Sequence, residues 1–440
     1  MNMIKKIALY TILSALAFSA CKKADDPFME DPDKRLAARL AEDEQLLTSA
    51  EFGWKATIYP KGGKGFSYYF KFGKDNSVEM MGDFDATTAT ALKSSTYRLK
   101  ALQWPTLIFD TYNYIHLPND PAPGVSGGTA GAGLQSDFQF AMDKMKGDTF
   151  FLNGIDRGNV MTMVKLTSDE QKEILAGKVA QNMTSMNGYA STVRYPNLTM
   201  EDGKQMDVSI SPASRRVRIS YQIDDTNVFS KSRGFAYTVR GVILDSTVTY
   251  KGFAIRELIW DGDKSNYFVQ NGDKKIYLGS GIIPVVPLAA VFGVGKDYTS
   301  IDYTPATLKG TMGTDFDAAF TNSSNLFKGG SATLNTVRLI LNSDNTYTLR
   351  FNYVTTGSLV ANIIYTPVKN ADGSFNLVFT SQDNNAGVRA AAIAPVKNYF
   401  ENTAFKISWV TNTISGSVLT LGGLVKATDN KQFFYGVVGN

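Results

Sequence analysis

The 440-residue chain contains one cysteine and one histidine. A lone cysteine leaves no disulfide to close within the chain, and a zinc site built from several His or Cys ligands cannot form. Charge excess is also missing. Lys and Arg number 45 against 41 Asp and Glu, a formal net charge of +4, which is too little for the dense basic footprint that grips nucleic acid. No apolar run reaches the about 20 residues that a helix needs to cross a bilayer. No cofactor and no metal centre is expected. What the chain has in quantity is aromatic surface. With 27 Phe, 21 Tyr and 43% hydrophobic residues it must fold around cores. Its length allows two or three domains.

The first residues read as an address. Lys5 and Lys6 precede a largely apolar stretch over residues 7–20. That stretch fits the hydrophobic region of a secretory signal and is too short to span a membrane. It ends in Ala17-Phe18-Ser19-Ala20-Cys21, so the sole cysteine follows a run of mostly small residues. This resembles a bacterial lipobox, in which Cys21 becomes the lipidated first residue of the mature chain. Phe18 departs from the usual aliphatic residue three places before the cysteine. The competing reading is an ordinary cleaved signal with a stray cysteine. Residues 1–20 are thus expected to be a lipoprotein signal peptide and 21–33 a lipid-anchored tether. The stretch Lys22-Lys23-Ala24-Asp25-Asp26-Pro27 is similar in outline to the short acidic signal that sends Bacteroidota lipoproteins to the outer face of the outer membrane. A solvated tether without such meaning is the alternative.

The mature chain reads as mainly β, with antiparallel domains that form a lipocalin-like barrel or sandwich-like meanders. It adds a short N-terminal helix and one inter-domain helix. Leu36, Leu40 and Leu47 recur near helical spacing over residues 33–49, with Asp31 or Asp33 as a cap. Residues 66–72 alternate aromatic and polar side chains before the turn Gly73-Lys74-Asp75-Asn76, a hairpin pattern. Asn153-Gly154 reads as the turn of another hairpin. Ser168 and Gln171 suggest a capping box opening a helix that Gly177 weakens. The apolar stretch at 282–292 holds two prolines and reads as a buried crossing or a covering loop. The expected division is 34–166, helix plus β domain; 167–203, helical connection; and 204–440, a larger β domain, with a further division near 305 left open. Residues 72–80 and 341–349 echo each other around Asp-Asn turns, through common ancestry or through turn chemistry alone.

The most unusual neighbourhood runs from Trp104 to Phe140. A strand feeds a glycine-rich loop flanked by aromatics, acids and the only histidine. Ligand-binding residues gather on such loops. The candidates are Asp110, Tyr112, Tyr114, His116, Asp120 and Asp137, with Tyr112 and Tyr114 sharing a face if their strand continues. No residue is assigned a catalytic role. The glycine run lacks the Gly-Lys-Ser/Thr ending of a P-loop and reads as a source of flexibility. Gly124-Val125-Ser126-Gly127-Gly128 matches the nucleophile-elbow pattern by letter, but no apolar strand precedes it and His116 lies upstream. His116 is expected instead to bond a loop carbonyl and hold the strand's end. Asp83, Asp85, Asp110, Asp120 and Asp137 could supply the paired acids of a glycosidase. Asp224-Asp225, Asp261-Gly262-Asp263 and Asp383-Asn384-Asn385 are oxygen-rich, yet none follows the calcium-loop spacing. Trp54, Trp104, Trp260 and Trp409 read as core rather than as ligand platforms.

Residues 107–116, Asn119-Asp120-Pro121, Ser136-Asp137-Phe138-Gln139-Phe140, Val78-Glu79-Met80 and Tyr97-Arg98-Leu99 resemble motifs of an uncharacterised lipoprotein family of Bacteroidota, domain of unknown function 4302. The likeness covers most of the mature chain. Members share a lipoprotein signal and tend to lie beside genes for outer-membrane nutrient importers of the starch-utilisation type. The resemblance therefore implies an accessory surface protein of an uptake system, and it carries no established functional residues.

The leading expectation is a non-enzymatic lipoprotein. It would be anchored in the outer membrane through Cys21, face the cell exterior, bind a nutrient such as a glycan, and act beside importer-complex proteins. Alternatives are a carboxylate-dependent hydrolase of extracellular polymers and a purely structural surface component. No nucleic-acid partner is expected.

Overall fold

A computed structural model describes residues 32–308, 312–401 and 403–440. The expected signal peptide, Cys21 and the expected tether as far as residue 31 lie outside the described residues. The chain is mainly β, built from antiparallel sheets with several helices.

Helix α1 (Pro32–Thr48) leads into eight strands. They are β1 (Trp54–Ile58), β2 (Phe66–Phe72), β3 (Ser77–Gly82), β4 (Lys93–Ala101), β5 (Pro105–Phe109), β6 (Gln139–Lys146), β7 (Thr149–Gly154) and β8 (Val160–Lys165). Each pairs with the next, and β8 returns to β1 from Trp54↔Lys165 to Ile58↔Met161, closing a barrel. Alternation fills it: Trp54, Phe66, Phe70, Tyr97, Phe109, Phe140 and Phe150 are all buried in its core. An eight-stranded barrel leaves just enough room for side chains, so this interior is packed. The last half of α1 covers one end, where Leu47 is buried and its carbonyl accepts the Trp54 indole N–H at 2.8 Å.

The expected inter-domain helix is two helices, α2 (Ser168–Leu175) and α3 (Lys178–Thr192), broken at Gly177. The cap is Thr167 rather than Ser168. Its hydroxyl accepts from Glu170 N while Glu170 Oε2 accepts from Thr167 N, at 3.2 and 3.0 Å, so the box closes one residue earlier than the sequence suggested.

A nine-stranded antiparallel sheet follows, from Pro196 to Ser280. It contains β9 (Pro196–Thr199), β10 (Gln205–Ser211), β11 (Arg216–Gln222), β12 (Val228–Thr238), β13 (Gly241–Tyr250), β14 (Phe253–Asp261), β15 (Asn266–Asn271), β16 (Lys274–Tyr277) and β17 (Gly279–Ser280). The segment holding β16 and β17 pairs with β15 through its first half and with β9 through its second. One continuous stretch therefore joins both edges of the sheet, which leaves little free edge to aggregate.

The apolar stretch at 282–292 covers the junction with the next body. Val285 N and Val286 N donate to the Asp207 carboxylate, and Leu288 and Phe292 are buried in the following core. That body is a second closed eight-stranded barrel, running from Ser300–Tyr303 to Phe433–Gly439. It carries two helices absent from the sequence expectation, α4 (Asp315–Gly329) and α5 (Ala390–Glu401). The capping pair Thr314 and Asp317 was the sequence signal for α4.

The internal echo falls between the second and third strands of both barrels. Asp75 Oδ1 accepts the Ser77 hydroxyl and Asp344 Oδ1 the Thr346 hydroxyl, each at 2.6 Å, with Asn76 and Asn345 at φ 61° and 65°. The same turn, built from Asp372 and Ser374, also joins the fourth and fifth strands of the last barrel. Its chemistry is thus reused at non-equivalent places, and the likeness between the barrels rests on their topology.

Candidate functional site

Strand β5 ends at Phe109, and this decides the fate of the residues after it. Asp110 stays at the surface, its Oδ2 2.6 Å from Arg98 Nε and its Oδ1 accepting from the Thr96 hydroxyl. Asn113 caps a 3-10 turn over Tyr114–Asn119. Within it, Asn113 N donates to His116 Nδ1 at 3.1 Å. Nε2 lies 3.0 Å from the Phe109 carbonyl. A carbonyl only accepts, so Nε2 carries the proton and neither ring nitrogen is free. Burial, the first cause, holds His116 below its ordinary pKa despite the opposing hydrogen bonds. The ring stacks on Tyr112, with centroids 5.4 Å apart. Tyr112 OH donates to Asp120 Oδ2, and Asp120 Oδ1 accepts from Ala122 N at 2.9 Å. Partial burial first, then Asp120, pushes the Tyr112 phenol up to about 12.

Tyr112, His116 and Asp120 therefore form one small cluster. Tyr114 does not share a face with Tyr112, because the strand that would have aligned them has ended. Its ring packs against the barrel core with Lys93 Nζ 5.5 Å from its centroid.

Asp137 is 1% exposed, so it cannot belong to a surface patch. Its Oδ1 accepts from the N–H groups of Asp156 and Arg157, and its Oδ2 from Asn159 N and Nδ2, all between 2.8 and 3.0 Å. This carboxylate builds the turn between β7 and β8. Asn153 and Gly154 consequently belong to β7, and the turn follows them. A Cβ on Gly154 would fall 2.1 Å from Asp137 Oδ2, which explains the glycine.

The glycine-rich run is folded rather than flexible. Leu134 N donates to Pro118 O at 2.7 Å, and Gly62 N to Leu134 O at 3.0 Å. Gly133 has φ 55° and its missing Cβ would meet the carbonyl oxygens of Pro118 and Asp120 within 3 Å. Ser126 sits in the four-residue helical turn Pro123–Ser126, donating to Ala122 O and accepting from Gly128 N. No strand-to-helix elbow presents it. Asp85 accepts from Thr88 N, and Asp224, Asp261 and Asp383 likewise accept donors of their own turns.

Two concavities lie at the junctions between bodies, where ligand sites commonly form. One, of about 220 Å³, opens between the first barrel and the central sheet. Its apolar walls include Met81 from the barrel, Ile174 and Val179 from α2 and α3, and Val239 and Ile243 from the sheet. Two ion pairs stand along it: Lys55 with Glu170, and Arg240 with Glu257 at 3.5 Å. The Thr57 and Thr162 hydroxyls meet at 2.8 Å on the barrel wall. Burial alone would raise Glu170, but Lys55 and the Thr167 donors outweigh it and hold the carboxyl below its usual value. Tyr68, also in the lining, has a buried hydroxyl with no partner among the described residues.

Behind this cleft the two bodies are fastened together. Arg215, at φ 50° in the β10–β11 turn, reaches into the barrel. Its guanidinium contacts Asp83 Oδ1 at 3.0 Å and donates to the carbonyls of Gly65, Asp83 and Phe84. Asp83 also accepts from Ser67 N and, across the junction, Tyr237 N. Burial pushes Asp83 upward against the pull of Arg215 and these donors. No face of the carboxylate is left for a substrate.

The second cavity, about 240 Å³, lies between the sheet and the last barrel. Its wall holds the Arg218–Asp297 pair at 3.2 Å, Tyr298, and Trp409, whose indole donates to Val286 O at 2.7 Å.

The family model described as Domain of unknown function (DUF4302) matches residues 24–262, more than half of the chain. The chain belongs to this family. Every residue lining the first cleft, from Lys55 to Glu257, falls inside the DUF4302 match, whereas the second cavity draws on residues 284–420 beyond it. Comparison with curated proteins finds no match.

No local motif announced the cleft, because its residues come from β1, β2, β3, β8, two helices and β12–β14. Asp83 did stand among the acids read from the sequence, but as a catalytic candidate rather than a sealed fastener.

Proposed function

We propose that this DUF4302 protein is a non-enzymatic ligand-binding lipoprotein. It is held at the outer membrane, facing the cell exterior, by a lipid on Cys21, and it serves a nutrient uptake system. Its ligand enters the cleft between the first barrel and the central sheet. The observation that carries the site is that the cleft is built wholly from residues within the family match. Its chemistry supports a small amphipathic ligand: apolar walls accept an apolar body, and the Lys55–Glu170 and Arg240–Glu257 ion pairs offer charged hydrogen-bonding groups to a polar end. The hydrolase alternative needs a protonated acid facing an ionised one. Glu170 is held ionised by Lys55, Glu257 is paired with Arg240, and Asp83 is enclosed.

Titration with 1-anilinonaphthalene-8-sulfonate, an aromatic anion, tests the site. Saturable binding by the wild-type protein that Val239→Trp abolishes without loss of folding supports it. Equal binding by both proteins overturns it. A glycan is better suited to the second cavity, where Arg218, Asp297, Tyr298 and Trp409 combine aromatic faces with charged hydrogen-bonding groups.

A further inference from the structure

Three of the four tryptophans are buried or partly buried, but Trp104 is 63% exposed. It occupies the β4–β5 turn beside Leu102, itself 51% exposed. The turn is fixed, since the Trp104 carbonyl accepts from Leu102 N at 3.2 Å and from the Thr106 hydroxyl at 2.8 Å. Two large apolar side chains are therefore held outward with no protein surface over them.

Strand register places this turn at one end of the barrel. Ser77, at the β2–β3 turn, pairs with Thr96, and β4 continues past it to Ala101. The β6–β7 turn lies at the same end, because Thr106 pairs with Ala141 and β6 runs on to Lys146. It adds Met145, 37% exposed. Helix α1 covers this same end: it packs on β2 and β4, and Glu44 acts electrostatically on Tyr97, whose hydroxyl bonds Gly73 O. Only ten residues, 22–31, separate Cys21 from Pro32, a reach of at most about 40 Å when fully extended.

We infer that the projecting β4–β5 and β6–β7 turns dock into the lipid surface beside the anchor, with Trp104, Leu102 and Met145 entering the interface. This rests on the reading of Cys21 as the lipidated residue. Tryptophan suits that layer because its ring is apolar and its N–H polar. Lys100 and Lys146 flank the tips with stems long enough to keep their charges in water. Exposed Asp148 stands among them, so apolar insertion rather than net charge drives the contact. Docking would set the orientation of the barrel, and with it the cleft, relative to the membrane.

The test uses vesicles of phosphatidylethanolamine and phosphatidylglycerol whose acyl chains carry bromine, a contact quencher of tryptophan. The natural lipidated protein is examined beside the chain from Cys21 onward, which contains every described residue and has a single thiol for coupling to a maleimide-headgroup lipid. Docking predicts that vesicle-bound protein loses the share of emission that Trp104 supplies, and that Trp104→Phe shows no such loss. Bound protein with unquenched emission, the same as Trp104→Phe, overturns docking. If the cell-derived protein fails to float with vesicles while the maleimide-coupled chain is quenched, the natural anchor is wrong and the docking surface stands.

Discussion

Asp83 in the first barrel and Arg215 in the central sheet meet at 3.0 Å, with side chains 0% and 6% exposed. The guanidinium lies between the rings of Phe66 and Tyr237, one from each body, at 4.7 and 5.1 Å. The pair thus forms a joint, and the proposed ligand cleft runs beside it between the two bodies, with Asp83 and Tyr237 in the lining.

Removing one partner leaves the other charged and buried. Arg215→Ala should cost about 3–5 kcal/mol of stability, and Asp83→Ala a similar amount. The double variant should lose less than the sum, because the two share one interaction. Urea unfolding of the three variants checks this. Additive losses would contradict the joint.

Asp137→Ala should also destabilise the protein strongly. It removes the shared acceptor of the Asp156, Arg157 and Asn159 N–H groups; water can reach the exposed Asp156 and Arg157, but the buried Asn159 N–H is left unsatisfied at about 1–3 kcal/mol. Hydrogen exchange should rise first at residues 155–159. A loss confined to ligand binding, with unchanged stability and exchange, would return Asp137 to the list of surface binding residues.

His116 gives the chain a clean pH signature, being its sole histidine. Its folded-state pKa lies below the ordinary 6.5, so between the two values the unfolded chain binds more protons than the folded one. Stability is then present above 6.5 and declines as pH falls through 6.5 toward the lower folded value. Melting temperature should drop between pH 7.5 and 5.5, and His116→Phe should flatten that slope. An equal slope in both proteins contradicts the assignment.

The β character and the β2–β3 hairpin were legible because alternating aromatics and an Asp-Asn turn are local signals. His116 was legible too, since a strand end and a nearby carbonyl lie close to it in the chain. The two helices of the last barrel were hidden by the loop-like run Thr321-Asn322-Ser323-Ser324-Asn325 in α4 and by Pro395 inside α5, and the burial of Asp137 by donors some twenty residues away. Trp104 was read as core because its neighbours look like a strand, but Pro105 begins β5 and leaves Trp104 in the turn. The cleft was the least legible part. Lys55, Glu170 and Val239 come together only when the barrel closes and the sheet is fastened to it, and no spacing in the sequence encodes that contact.

The most direct measurement of the binding claim is methyl NMR with labelled isoleucine and valine during titration with 1-anilinonaphthalene-8-sulfonate. Ile174 and Ile243 report on the cleft, and Ile115 on the turn that holds His116. The account predicts saturable shifts at Ile174, Val179, Val239 and Ile243, with Ile115 unmoved. Shifts centred on Ile115, with the cleft methyls silent, would contradict it and return the ligand to the loop after β5.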